Sequence, residues 1–231
     1  MKQYRPLRPI HGLSFDLDDT LWDNTGVVPA AEAVMHAWLA QRAPALAARY
    51  SVDALRELYP EAVAADPVNA YDMAALRRWC LATALTRVGA DPALAEPAFQ
   101  VFQAARHRVP LPPEVPALLA RLGQRYPLVA VTNGTIDLDA VGLARHFVAR
   151  IAPPDAGAAK PHALPFLAGC EALGLAPDEV LHIGDDLRLD VAGALNAGLM
   201  AAWFNPSRLG LNGATEPHLE LSLLSELTQL P

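Results

Sequence analysis

Five short apolar runs, separated by segments long enough for helices, constrain this chain more tightly than any other feature. They are GLSFDLD (Gly12 to Asp18), LVAVTNG (Leu128 to Gly134), HFVARI (His146 to Ile151), VLHIGDD (Val180 to Asp186) and LMAAWF (Leu199 to Phe204). A strand that is apolar without alternation is covered on both faces, and strands joined through helices run parallel. The pattern predicts an α/β fold, a doubly wound parallel sheet with helices on both sides. The expected helices are Glu114 to Gln124, a short one between Gly134 and His146, one from about Pro161 to Leu173, and one ending near Ala197. The tail PHLELSLLSELTQLP adds a last short strand and helix, and no internal repeat or low-complexity tract interrupts the pattern.

One stretch breaks the alternation. Between about Val27 and Arg108 the composition shifts to Ala, Leu, Arg and Glu, with Leu55, Leu58 and Ala62, and separately Met73, Leu76 and Cys80, recurring at helical steps. Pro44, Pro60, Pro67 and Pro92 punctuate it, which suggests an all-α insert of about four or five helices. The prolines of VPLPPEVP (Val109 to Pro116) read as a stiff return linker. The expected organisation is therefore a core domain from residues 1–24 and 110–231 and an inserted helical bundle at 25–109. A length of 231 residues fits two modest domains.

Composition narrows the function. With 52% hydrophobic and 19% charged residues the chain can build a core. No apolar run reaches the length of a membrane span, and MKQYRPLRPIHG lacks the apolar core of a secretion signal, so a soluble cytoplasmic protein with no membrane partner is expected. Cys80 and Cys170, far apart and without His-rich or CxxC surroundings, read as buried thiols. A net charge of −7 disfavours nucleic acid, whose binding rests on clustered Lys and Arg. A phosphorylated metabolite remains open to an acidic protein if a metal neutralises the site.

The chemistry concentrates where the predicted strands end: Asp16 and Asp18 on the first, Thr132 and Asn133 on the second, Asp185 and Asp190 around Gly184. Lys160, opening a helix in AAKPH, adds a cation. Ligands of open parallel sheets bind at the carboxyl ends of strands, so these segments can converge. A calcium loop starting at Asp16 fails, because its sixth position is Leu21 and its twelfth Val27, where Gly and Glu are needed.

In this order and placement, Asp16-Leu17-Asp18-Asp19-Thr20, Thr132-Asn133-Gly134, Lys160, and Gly184-Asp185 with Asp190 resemble the motifs of the haloacid dehalogenase-like hydrolases. The helical insert resembles that family's cap, so the likeness spans nearly the whole chain. The resemblance implies a Rossmann-like core, a Mg²⁺ cofactor and hydrolysis through an aspartyl phosphate. Asp16 would be the nucleophile, a known covalent role for carboxylates. Asp18 would protonate the leaving oxygen and then take a proton from water. The metal ligands would be the carboxylates of Asp16 and Asp185 and the main-chain carbonyl of Asp18. Asp190 would orient Lys160 or a metal-bound water, Thr132 would bind phosphate, and Asn133 would bind phosphate or hold its loop. With Asp18 protonated, the charges of Asp16, Asp185 and Asp190 balance those of Mg²⁺ and Lys160, so a phosphate dianion meets a neutral site.

Hydrolytic dehalogenases of the family lack an Asp two residues past the nucleophile, so Asp18 implies a phosphatase acting on a phosphorylated small molecule, as a monomer or homodimer. YRPLRPIHGLSFDLDDTLWDN, LHIGDDLRLDVAGALNAG and PHLEL further resemble the bacterial phosphatases of flavin mononucleotide (FMN) and 5-amino-6-(5-phospho-D-ribitylamino)uracil, a branch tied to riboflavin biosynthesis. A broad-specificity phosphatase and a phospho-acceptor signalling module are the competing readings. Stacking candidates for a flavin or pyrimidine are Trp22, Tyr71, Trp38 and Trp79, of which Trp38 and Trp79 read as core. Arg77 and Arg78 read as solvent-facing, His182 as a hydrogen-bonded core histidine, and Asp19 and Asp186 as turn and helix-start residues.

Overall fold

The computed structural model describes residues 1–231. A seven-stranded sheet carries the first of two compact units. Its strands are β1 (Lys2–Gln3), β2 (Gly12–Phe15), β3 (Leu128–Val131), β4 (Ala149–Ile151), β5 (Val180–Gly184), β6 (Met200–Phe204) and β7 (Leu219–Leu221), in the order β1-β7-β6-β5-β2-β3-β4. Every neighbouring pair is parallel except β1 with β7. Every residue of β2, β3 and β5 is buried, as unalternating apolar runs require. The expected α/β fold with a doubly wound parallel sheet is the observed one. The chain leaves β2 toward β3 and β4 on one side and later fills β5, β6 and β7 on the other. The strand order therefore reverses at β2, the place where open sheets leave a crevice.

The sheet-bearing unit comprises Met1–Asp23, Pro110–Gly134 and Leu138–Pro231. The return linker is shorter than expected: Glu114–Leu122 is helical, and Val115 and Pro116 lie in its first turn, where a proline costs no helical hydrogen bond. The short helix expected between Gly134 and His146 is absent. That stretch turns instead, with Gly142 at φ 73°, and ends in a 3₁₀ turn at Ala144–His146. The helix expected from Pro161 begins at Ala163, with the His162 ring accepting from the Leu164 N–H.

The second unit comprises Asn24–Val109 together with Thr135–Asp137. Those three residues, read from sequence as part of the core, belong here because of Gln103 and His107. The Gln103 amide donates to the Thr135 carbonyl (3.0 Å) and accepts from its hydroxyl (2.8 Å), while the Asp137 N–H donates to His107 Nε2 (3.2 Å). Six α-helices form the unit, rather than four or five: Val27–Arg42, Pro44–Arg49, Val52–Arg56, Tyr59–Ala65, Met73–Arg87 and Ala95–Arg106. Pro44 and Pro60 open helices instead of separating them, and Ser51 and Asp72 cap two others. Leu55, Leu58, Ala62, Leu76 and Cys80 join the core of this unit, but Met73, at the start of its helix, is exposed.

Trp38 and Trp79 pack partly buried against the same core, and the Tyr71 hydroxyl donates to Asn69. Arg77 does not face solvent. Its guanidinium lies 3.9 Å from the Phe102 ring centre and donates to Glu32, which is buried and also accepts from Arg56. Arg78 lies 3.8 Å over the Phe99 ring and pairs with Glu96 at the surface. Both cysteines are buried free thiols, and burial pushes each up to about 11. No helix is long and apolar enough to cross a membrane.

Candidate active site

β2 stops at Phe15, but Asp16 continues the pairing by one residue, its N–H donating to the Ile183 carbonyl (2.8 Å). The chain then turns: Asp19 takes a left-handed conformation (φ 61°) and the Leu21 N–H returns to the Leu17 carbonyl (2.8 Å). The turn swings Thr20 back over the strand end, where its hydroxyl reaches Asp16 Oδ2 (3.3 Å) and Asp185 Oδ1 (3.4 Å). Thr20 ties two strand ends together. The signal for it in the sequence is the last residue of DLDDT, a hydroxyl four positions past the strand-end carboxylate.

Lys160 supplies the cation. It is 4% exposed, and Nζ donates to Asp16 Oδ1 (2.5 Å) and Asp190 Oδ1 (2.6 Å). Asn133 holds the lysine's main chain from both ends: its amide nitrogen donates to the Lys160 carbonyl (3.0 Å) and its amide oxygen accepts from the Lys160 N–H (2.8 Å). That places the Asn133 side chain on the loop. Thr132, on the strand next to Asp16, is buried, and its oxygen accepts from the Gly134 N–H (2.9 Å), closing the turn after β3.

Beneath the lysine runs a buried polar chain. A carboxylate only accepts, so His182 Nε2 carries the proton it shares with Asp190 Oδ1 (3.2 Å), and Nδ1 accepts from the Ser14 hydroxyl (2.9 Å). His182 is thus a hydrogen-bonded core residue that also steadies Asp190. The other Asp190 oxygen accepts from the Asp186 N–H (3.1 Å), and Asp186 caps the following π-helical turn, Leu187–Ala192, through Arg188 and Leu189 (2.7 Å each). Gly184 leaves room for this: a Cβ there would stand 2.3 Å from Asp190 Cγ. Gly184→Ala is expected to push Asp190 off Lys160 and to cost ~1–3 kcal/mol in urea denaturation, the range of overpacked cores. An unchanged denaturation midpoint would contradict this.

Two tryptophans complete the site, and sequence reading assigned neither its role. Trp203 donates from Nε1 to the Asp185 carbonyl (2.7 Å). Trp22 is buried, 2% exposed, so it offers no open face for stacking; its Nε1 donates to Asp18 Oδ1 (2.9 Å).

The charges are unbalanced. Burial pushes Asp16 up to about 8, against the pull of the Lys160 ammonium, and the Asp190 and Asp185 charges add to the push. Burial, with the Asp190 and Asp19 charges, pushes Asp185 up to about 6. Lys160 overcomes its own burial through Asp16 and Asp190 and stays charged, well above the usual lysine range. Asp190 likewise overcomes burial, through Lys160 and His182, and stays ionised. The ligand atoms of Asp16, Asp185 and Asp190 lie within 4.8 Å of one another. With one lysine against three carboxylates, the donor set fits a hard divalent cation such as Mg²⁺. Asp190 accepts three hydrogen bonds across its two oxygens, whereas Asp16 Oδ2 and Asp185 Oδ1 take only the long contacts of the Thr20 hydroxyl, which leaves Asp16 and Asp185 as the better ligands.

Residues 10–198 match the family model of the haloacid dehalogenase-like hydrolases, and the chain belongs to that family of enzymes. It is 33% identical, over 100% of both chains, to the 5-amino-6-(5-phospho-D-ribitylamino)uracil phosphatase YigB of Escherichia coli. It is 32% identical to the phosphoserine phosphatase of Thermus thermophilus, over 90% of this chain and 80% of that one. Among solved structures, the 2-haloacid dehalogenase of Pseudomonas syringae superposes with a TM-score of 0.91 at 36% identity, covering 95% of this chain and 97% of that one.

Proposed function

We propose that this hydrolase is a Mg²⁺-dependent phosphomonoesterase acting through an aspartyl phosphate on Asp16, with FMN or 5-amino-6-(5-phospho-D-ribitylamino)uracil as substrate. The observation that carries the reading is a buried Asp16 carboxylate held by Lys160, with a second acid, Asp18, two residues on. A halide needs no proton to leave, whereas an alkoxide does, so Asp18 has work in a phosphatase that a dehalogenase does not offer. The substrate choice is supported by the full-length likeness to YigB. We place the enzyme in the cytoplasm, as a monomer or homodimer.

In this mechanism Asp16 attacks phosphorus while Asp18 delivers a proton to the departing ester oxygen. Water then attacks the aspartyl phosphate, gives its proton to Asp18, and the P–O bond to Asp16 breaks. Lys160 holds the attacking carboxylate in place and balances the dianion, the preorganised charge that phosphoryl transfer depends on. The Thr132 hydroxyl hydrogen is directed to a phosphate oxygen, and Asn133 keeps Lys160 in register. A cation held by the Asp16 and Asp185 carboxylates and the Asp18 carbonyl supplies, when bound, further neutralisation of the phosphoryl oxygens.

The test is steady-state phosphate release, with Mg²⁺ and with chelator, from FMN, the ribitylaminouracil phosphate, nucleotides, phosphoserine and sugar phosphates, alongside halide release from a 2-haloacid. A preference of ~100-fold or more in kcat/KM, equivalent to ~2.7 kcal/mol, for one of the first two supports the substrate assignment. Even activity across the panel leaves a broad-specificity phosphatase, and halide release without phosphate release overturns the reading. A separate expectation concerns Trp203. Because its indole fixes the Asp185 loop, Trp203→Phe raises the Mg²⁺ dissociation constant ~10-fold by calorimetry, in line with other outer supports of metal sites. An unchanged constant would remove Trp203 from the metal-holding framework.

A further inference from the structure

We propose that Trp22 is a positioning residue for proton transfer, its indole N–H setting the rotation of the Asp18 carboxylate. This inference rests on the phosphatase reading and adds a residue to it. The indole is immobilised by burial, and the turn at Asp19 brings residues 18 and 22 side by side as an isolated parallel bridge. A buried indole N–H needs an acceptor, and Asp18 Oδ1 at 2.9 Å is the one it has.

The donor type suits the task. Indole donates and never accepts, so it cannot compete for the proton that Asp18 carries. It binds the carboxylate after the proton has left and the acid's unprotonated oxygen before, so the orientation persists through both half-reactions. In the first, the Asp16 oxygen bonds to phosphorus, the P–O ester bond breaks, and its electron pair takes the Asp18 proton. In the second, water bonds to phosphorus, its proton goes to Asp18, and the P–O bond to Asp16 breaks with its electrons returning to that carboxylate.

The test separates proton delivery from general damage. Trp22→Phe keeps an aromatic ring and removes the donor. As a second variant, β-(3-benzothienyl)alanine at position 22 replaces the N–H by sulfur at nearly unchanged shape, which guards against a folding failure. Each is compared with wild type on an alkyl phosphate and on p-nitrophenyl phosphate, whose leaving group departs with little need of a proton. Because kcat/KM reports only steps up to the first irreversible one, the alkyl-to-aryl ratio of kcat/KM is expected to fall ~10-fold in both variants, part of the ~100-fold or more that a well-placed general acid supplies. Equal losses on the two esters, or no loss on either, would overturn the positioning role. Wild-type protein that releases phosphate from neither ester would instead overturn the phosphatase reading, and this inference with it.

Discussion

Asp16→Asn is expected to lower phosphate release by ~10⁴-fold or more on every substrate, because it removes the attacking oxygen and not a helper of it. The substitution keeps shape and a hydrogen-bonding oxygen, and Lys160 keeps its pairing with Asp190. The fold should therefore survive. In the metal-free protein it should be no less stable, since an ionised Asp16 is penalised by burial and by two neighbouring carboxylates. Phosphate release near the wild-type rate would remove Asp16 as nucleophile. A large drop in thermal stability alongside lost activity would reassign it to a structural role.

Lys160→Met carries the second large effect, and it should appear in stability as well as in rate. The methionine fills the space of the lysine stem but leaves the buried Asp16 and Asp190 without their cation. Breaking a buried ion pair from one side costs ~3–5 kcal/mol. The rate should fall ~10³-fold, the scale seen when one preorganised electrostatic group is removed. Asp190→Asn in the Lys160→Met background should recover part of the stability and none of the rate, because it removes an orphaned charge without restoring a cation. Denaturation and phosphate release of the two single variants and the double variant check this. Strict additivity in stability would mean that Lys160 and Asp190 do not act as a pair.

Much of this site was legible in the sequence because its residues end apolar runs, and an apolar run ending in acid marks its own position. Asp16, Lys160, and Asp185 with Asp190 lie on three segments whose order along the chain follows from the alternation of strand and helix, and the structure brings them together. Roles that depend on a distant partner left no such mark. Arg77 read as solvent-facing because its partner, Glu32, lies 45 positions away on another helix. Trp203 reads as one more apolar residue of a buried strand until its indole is seen against the Asp185 carbonyl. β1 has two exposed polar residues and no hydrophobic pattern. It exists through its pairing with Glu220 and Leu219, aided by the Tyr4 N–H donating to the His218 carbonyl (2.9 Å), a relation no local rule contains. The short helices of the insert blurred into fewer, longer ones because a proline in a first turn and a proline between helices look alike in sequence.

The three residues Thr135–Asp137 bear on how this enzyme could be re-engineered. Exchanging residues 24–109 with the equivalent stretch of a relative, the natural cut for a chimera, would strand a glutamine amide and an imidazole whose counterparts stay behind in the donor chain. A transplant meant to carry one enzyme's selectivity into another's scaffold is therefore a two-piece graft, with the tripeptide travelling alongside the bundle.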